Sequence, residues 1–311
     1  MALMMSVAAL RSAFQSRVRV CHSPASVRMC SSPATGRSPK DWPLVTSSAN
    51  QRLKTIKRLH TRRQRERLGL VLLEGHRLVL DAFEAGLVPE FVVIDDTALD
   101  RAVEGPRLRT ALSSAACDVV RVREDAIIDL SDTITPQGVL AVLPQITCPL
   151  PPRPSLVLVC DAISDPGNLG TLLRSAAGAG VEAALLTPGC SDPWGLKALR
   201  AGMGAQLRLP LHATTSWAET STQLSTWGVS PLAADAGGSM AHYEVDWSKP
   251  SALVVGSEAH GLSEAVRTDP AVHLCRIPLG DPVSGNGIES LNAAVAGSVI
   301  MFEAMRQRLL R

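Results

Sequence analysis

Aromatic residues are scarce in this sequence: 4 Phe, 5 Trp and 1 Tyr among 311 residues. That argues against a nucleic-acid platform on which successive bases stack on aromatic rings. No apolar run approaches the length of a membrane span; the richest stretch, Ala293 to Phe302, is about half of what a bilayer requires, so no membrane partner is expected. The seven cysteines (Cys21, Cys30, Cys117, Cys148, Cys160, Cys190, Cys275) are odd in number, and no pair has C-x-x-C spacing. They read as reduced, mostly buried small hydrophobes of a non-secretory compartment. The histidines form neither H-E-x-x-H nor a Cys/His cluster, so no metal is expected. G-x-G-x-x-G and Walker A sequences are missing too. Gly237-Gly238-Ser239-Met240-Ala241 falls one glycine short of a hydrolase elbow.

The composition is that of a globular protein, 46% hydrophobic and 19% charged, and the length suits about two domains. Acids are absent from residues 1–40, which hold Arg11, Arg17, Arg19, Arg28, Arg37 and Lys40 among many serines. This is the composition of an organellar transit peptide. A secretory signal would place its basic residues before the apolar stretch, whereas here apolar Met1 to Leu10 precedes the arginines. Import into an organelle is expected, with the chloroplast placed ahead of the mitochondrion, because Ser26-Val27-Arg28-Met29-Cys30 resembles a plastid processing site. Beyond residue 40 the balance is 25 basic against 29 acidic residues, so any nucleic-acid surface must be local.

Such a surface is offered between Arg52 and Arg67. Arg52, Lys54, Lys57, Arg58, Arg62, Arg63, Arg65 and Arg67 stand there against the single acid Glu66. This density suits RNA phosphate contacts, which supply affinity and little sequence choice; otherwise it is a solvated helix face. Residues 45–145 alternate short elements, with strands expected at Leu70–Leu73, Phe91–Ile94, Val119–Val122 and Val139–Leu143 and a helix at Gly75–Ala85. Five prolines between Pro144 and Pro154 mark a linker, taken as 146–154.

From residue 155 to 311 strands alternate with helices. Strands are expected at Leu156–Cys160, Val181–Leu186, Leu207–Leu209, Val229–Ala233, Leu253–Val255 and Val272–Ile277. Helices are expected at Asn168–Ala179, Leu196–Met203, Ser216–Trp227 and Ser290–Leu309. This is an α/β pattern, with a parallel sheet covered on both faces. Ligands of such sheets bind beyond the carboxyl ends of the strands, and three stretches fall there. Asp161 to Arg174 follows a strand and opens a helix with Asn168 as candidate cap. Leu253 to Leu262 ends a buried strand in Gly256-Ser257-Glu258. Ile277-Pro278-Leu279 leads through a loop to Glu289-Ser290-Leu291-Asn292, where Ser290 is a candidate cap of the last helix. The apolar stripe Leu291, Val295, Val299, Phe302 and Leu309 on that helix suits a core or a dimer interface.

Together, Asp165-Pro-Gly-Asn168-Leu-Gly170…Arg174, Gly256-Ser-Glu258-Ala-His-Gly261-Leu and Ile277-Pro278…Glu289-Ser-Leu-Asn292 resemble the SpoU (TrmH-like) RNA ribose 2′-O-methyltransferase family of the SPOUT superfamily. Leu73-Glu-Gly-His-Arg77 and Pro136-Gln-Gly-Val139 resemble that family's L30e-like substrate-binding domain. The resemblance implies a sheet with a deep trefoil knot, S-adenosylmethionine as methyl donor and a homodimer. It places the cofactor against Val255, Gly256, Ser257, Gly261, Ile277, Pro278, Leu279, Ser290 and Leu291. It gives catalytic roles to Arg174, Asn168, Glu258, Ser290 and Asn292. The loop Leu279 to Ile288, about twice the family's usual length, departs from the pattern and bears on the cofactor mouth.

Methyl transfer to a ribose hydroxyl needs aligned oxygen, carbon and sulfur and an exit for the hydroxyl proton. A guanidinium keeps its proton at any working pH. Arg174 is therefore read as stabilising a developing alkoxide or the neighbouring phosphate. Asn168 and Glu258 are read as orienting groups, with Ser290 and Asn292 shaping the loops. The expected function is 2′-O-methylation of an organellar RNA, rRNA ahead of tRNA, with guanosine as the family's suggestion. The rivals are a catalytically inactive RNA-binding or ribosome-assembly factor and, behind it, a small-molecule methyltransferase.

Overall fold

The computed structural model of the protein describes residues 41–95, 97–280 and 290–310. The segment 1–40, expected to be a transit peptide, lies outside the described residues, as do Glu289 and most of the long loop after Leu279.

The first unit opens with helices α1 (Gln51–Leu59) and α2 (Arg62–Leu68). The Asn50 side chain accepts the Arg52 N–H at 2.9 Å and caps α1. One face of α1 buries Leu53, Ile56 and Leu59, so the intervening lysines and arginines turn outward. There follow β1 (Leu70–Glu74), α3 (His76–Glu84), β2 (Phe91–Asp95), α4 (Ala98–Arg101), α5 (Gly105–Ser114), β3 (Asp118–Val122), α6 (Glu124–Leu130) and β4 (Val139–Pro144). The strands form a mixed sheet ordered β1-β4-β2-β3. The motif residues of this unit are structural. The Gln137 side chain accepts the His76 backbone N–H at 3.1 Å, and the His76 ring meets the Ala98 carbonyl at 2.8 Å. They pin the turn between β1 and α3 to the residues just before β4 and to the start of α4.

The second unit runs β5 (Leu156–Asp161), α7 (Pro166–Gly178), β6 (Ala183–Leu186), α8 (Leu196–Gly202), a 3₁₀ turn (Ala205–Leu207), β7 (Leu211–Ala213), α9 (Trp217–Trp227), β8 (Ser230–Ala234), β9 (Met240–Ala241), β10 (Ser251–Gly256), α10 (Glu264–Arg267), β11 (His273–Arg276) and α11 (Ala293–Leu309). Every strand pair is parallel, in the order β7-β6-β5-β10-β8-β11-β9.

Three local expectations are corrected. The strand expected at Leu207–Leu209 is replaced by the 3₁₀ turn, and β7 begins after Pro210; Leu207 and Leu209 alternate because both are buried, not because they lie in a strand. Helix α7 starts at Pro166 with Asp165, not Asn168, as its cap, which fits proline at a first helical position. Helix α11 is capped by Asn292, not Ser290. Cys117, Cys160, Cys190 and Cys275 are free, with Cys160 and Cys275 buried.

The two units meet through α8. Its Leu199, with Leu207, is fully buried among Leu78 and Val79 of the first unit. Truncating such a leucine typically costs about 2–5 kcal/mol. Arg65 pairs with Asp192 and Arg200 with Asp132 at 2.7 Å across the same junction. On its other side α8 lies against α7 so closely that a Cβ at Gly170 would collide with the Ala198 carbonyl. Helix α11 buries Ala294, Gly297, Ile300, Met301 and Ala304 but leaves Val295, Val299, Phe302 and Leu309 40–58% exposed. No described helix is long and apolar enough to cross a membrane, and no group of three metal-ligating side chains occurs among the described residues.

Candidate active site

The carboxyl ends of β5, β10, β8 and β11 open on one side of the parallel sheet, and the three motif stretches gather there. The Asp165 side chain accepts hydrogen bonds from the Asn168 backbone N–H at 2.9 Å and from Lys197 Nζ at 2.9 Å. The lysine first, then the Asn168 amide, hold the Asp165 carboxyl below its ordinary range. This cap fixes Asn168 in the first turn of α7. From there the Asn168 amide donates to Glu258. Asn292 Nδ2 donates to Glu258 Oε1 at 2.7 Å and to Asn168 Oδ1 at 3.1 Å. The Asn292 Oδ1 accepts the Ala294 and Val295 amides at 2.9 and 3.2 Å. One side chain thus caps α11 and ties it to both other loops.

The loop carrying Glu258 is itself constrained. The Gly261 N–H donates to the Ser257 carbonyl at 2.7 Å, closing a turn in which Gly261 has φ +66°. A Cβ on Gly256 would stand 2.5 Å from the Gly261 carbonyl carbon, so only glycine admits this turn. The buried Asp161 carboxylate accepts the Ser263 N–H at 2.7 Å and the Thr187 hydroxyl at 3.0 Å, fastening the loop to the ends of β5 and β6.

Beside the Asn168–Glu258–Asn292 cluster lies a cleft of about 430 Å³. Val255, Gly256, Ser257, Gly261, Ile277, Leu279, Ser290 and Leu291 line it, together with Glu258 and Asn292. Of the residues expected to hold the cofactor, Pro278 alone is absent from this lining. Asp235, Arg267, Cys275 and Ala296 also line it and were not read from the sequence; the strand-end rule reaches Asp235 once β8 is known to lie between β10 and β11. Burial pushes the Cys275 thiol up to about 11, so it stays protonated and inert at neutral pH.

Arg174 is not brought to this cluster within one chain. It is exposed on α7 and belongs neither to the cleft lining nor to the hydrogen-bonded group. One residue on, Ser175 meets Ser298 of α11 at 2.7 Å, so Arg174 flanks the exposed apolar stripe of α11. The basic helices divide. Lys54, Lys57, Arg58, Arg63 and Arg67 are exposed and make no ion pair among the described residues. Arg62 is exposed but paired with Glu66 at 2.7 Å, and Arg52 is half-buried against Asp118. Arg65 is a correction to the expected RNA surface. It is 7% exposed, with its guanidinium on Asp192 and on the Leu59 carbonyl at 2.6 Å, and so holds the two units together rather than facing solvent.

Residues 155–302 match the SpoU rRNA Methylase family, and residues 50–141 match the MRM3-like substrate binding domain. The mouse "rRNA methyltransferase 3, mitochondrial" is 32% identical over 297 residues, covering 78% of this chain and 69% of that protein. This chain belongs to the SpoU family of RNA ribose 2′-O-methyltransferases. The Bacillus subtilis "23S rRNA (guanosine(2553)-2′-O)-methyltransferase RlmP" is 30% identical over 267 residues, covering 83% of this chain and 97% of that protein. The AdoMet-bound rRNA methyltransferase of Sinorhizobium meliloti superposes with a TM-score of 0.71 at 28% identity, covering 85% of this chain and 97% of that one. S-adenosylmethionine is the methyl donor of this enzyme family. The cleft suits it: the volume is that of a small-molecule site, and apolar Val255, Ile277, Leu279 and Leu291 offer walls to an adenine.

Proposed function

We propose that this protein is an organellar methyltransferase that modifies a ribose 2′-hydroxyl in large-subunit rRNA, acting as a homodimer. The observation that carries this reading is the Asn168–Glu258–Asn292 joint, which draws three distant loops onto the rim of one cleft. Ribosomal RNA is favoured as substrate because the mouse and Bacillus relatives are named for it, and guanosine because the Bacillus relative is. The mouse relative's name supports an organelle; the preference for a plastid rests on the Ser26–Cys30 stretch alone. The trefoil knot implied by the resemblance belongs to this reading and is supported by the crossovers that set β10 between β5 and β8.

In this mechanism Lys54, Lys57, Arg58, Arg63 and Arg67 hold the RNA backbone, and the rigid α8 junction fixes their distance from the cleft. S-adenosylmethionine, when bound, supplies an electrophilic methyl group on a sulfonium. Val255, Gly256, Ser257, Gly261, Ile277, Leu279, Ser290 and Leu291 would hold it, with Pro278 setting the chain between Ile277 and Leu279. Glu258 Oε1 is fixed by the two amides of Asn168 and Asn292, which leaves Oε2 to orient a polar group of the reactants. Arg174 would stabilise the charge that develops on the ribose oxygen as its proton passes to solvent water. Positioning of this kind contributes up to roughly 7–11 kcal/mol in ideal cases.

The homodimer is supported by the apolar stripe Val295, Val299 and Phe302, which is solvent-facing in a single chain. A second copy on that face would cover the stripe and bring each Arg174 towards the partner's cleft. The test is ribose-methylation mapping of organellar RNA after incubation of purified enzyme with labelled methyl donor. An alkali-resistant dinucleotide in rRNA is expected. Methylation on a base overturns the reaction, methylation of tRNA overturns the substrate, and absence of cofactor binding at millimolar concentration indicates an inactive RNA-binding factor.

A further inference from the structure

Within the cleft, one charged pair has no part in the Asn168–Glu258–Asn292 joint. Asp235 follows the last residue of β8, and its backbone N–H donates to the Cys275 carbonyl at 2.9 Å, extending the β8–β11 ladder by one bond. Its Oδ1 accepts the Gly237 N–H at 2.9 Å and its Oδ2 pairs with Arg267 at 2.8 Å. Arg267 is in turn held by the Leu262 carbonyl at 3.2 Å, on the loop that carries Glu258. The Asp235 side chain is 14% exposed and lines the cleft.

We propose that Asp235 is the residue that recognises the ribose hydroxyls of S-adenosylmethionine, with Arg267 as its positioning partner. This rests on the placement of the cofactor in the cleft. Three observations support it. First, β8 lies between β10 and β11, so Asp235 stands between the two loops that line the cleft on either side, those that follow Gly256 and Arg276. An acid at a parallel strand's carboxyl end is a general solution for a ribose diol, whose two adjacent donors match the two oxygens of a carboxylate. Second, a carboxylate has about four acceptor positions, and Gly237 and Arg267 occupy two of them. Third, the Arg267 guanidinium offsets the charge of Asp235, which favours neutral hydroxyl donors over an ammonium there. Asp235, Glu258 and Arg267 are the charged side chains of the described lining. Their sum is one negative charge, complementary to the single net positive charge of the cofactor. With Asp235 committed to Arg267, the uncompensated charge is that of Glu258, nearer the reacting groups.

The test is a binding cycle that needs no turnover. S-adenosylhomocysteine and its 2′-deoxy and 3′-deoxy ribose analogues are titrated calorimetrically into the whole protein and into Asp235→Asn. The unaltered protein binds S-adenosylhomocysteine about tenfold or more tightly than at least one deoxy analogue, as fits loss of a hydrogen bond to a charged acceptor. In Asp235→Asn this discrimination collapses to about twofold or less. Asp235→Glu keeps the charge but moves the carboxylate by one methylene; it shows the same collapse, and thermal melting without ligand confirms that each variant folds. If Asp235→Asn weakens S-adenosylhomocysteine and both analogues by one common factor, or not at all, Asp235 does not touch the ribose and the proposal falls. If the unaltered protein binds none of the three, the cofactor reading of the cleft falls with it, a distinct result.

Discussion

The Asn292 amide donates to the Glu258 carboxylate across 2.7 Å while its own oxygen caps α11. The last helix and the glutamate loop therefore cannot move independently. Asn292→Asp keeps a good capping group but sets a carboxylate against Glu258, and two like charges at that distance cannot both stay ionised without cost. Methyl transfer is expected to fall about a hundredfold with little change in melting temperature. Labelled-methyl incorporation beside a melting curve checks this, and unimpaired transfer would remove the joint from the mechanism.

Arg174 is exposed and lies outside the cleft lining of its own chain. Arg174→Ala should leave stability within about 0.5 kcal/mol and leave S-adenosylhomocysteine affinity unchanged, yet abolish methylation. Loss of cofactor affinity instead would show that the side chain acts on the cleft and not on the RNA.

Phe302 and Val299 are 48% and 40% exposed on α11. Phe302→Glu or Val299→Asp is expected to turn a dimer into a folded monomer in sedimentation equilibrium, with loss of activity. A variant that sediments as the unaltered protein does would place the interface elsewhere.

Arg65 and Arg58 sit on neighbouring helices and should behave oppositely. Arg65→Ala strands Asp192, 17% exposed, without its partner and is expected to cost about 3–5 kcal/mol of stability. Arg58→Ala should leave stability unchanged, weaken RNA binding for all sequences alike and reduce the logarithmic salt dependence by about one. Denaturant titration and filter binding at several salt concentrations separate the two.

Asp165 gives a pH dependence with a definite sign. Its folded-state carboxyl titrates below the ordinary 3.8. Its stabilising effect is therefore complete above that value and is lost as pH falls through the lowered folded pKa. Asp165→Ala should cost about 1 kcal/mol at neutral pH, and the difference should shrink only in acid. A difference that grows on acidification would contradict the capping geometry.

Much of this organisation was legible in the chain. Alternating apolar runs and helical periods located five of the seven strands of the parallel sheet, missing Leu211–Ala213 and the two-residue strand Met240–Ala241, because those patterns report local burial. The three motifs marked Asn168, Glu258 and Asn292, because glycines at tight turns and polar residues after strands are punctuation that survives without knowledge of contacts. Other features were not readable. Leu207 and Leu209 looked like a strand since alternation does not distinguish a sheet from two leucines buried at a domain junction. Arg65 looked like its neighbours, and only its position opposite Asp192 separates a structural arginine from those that face solvent.

The sequence by itself determined the family, the α/β alternation and the residue types at the strand ends, since each depends on short-range spacing. The tertiary structure decided which of them meet. Strand order brings β8 between β10 and β11 and so puts Asp235 in the cleft, and helix capping chose Asp165 and Asn292 over their neighbours. Contacts between residues 34 to 124 positions apart depend on how the chain crosses over itself, and no local pattern encodes that.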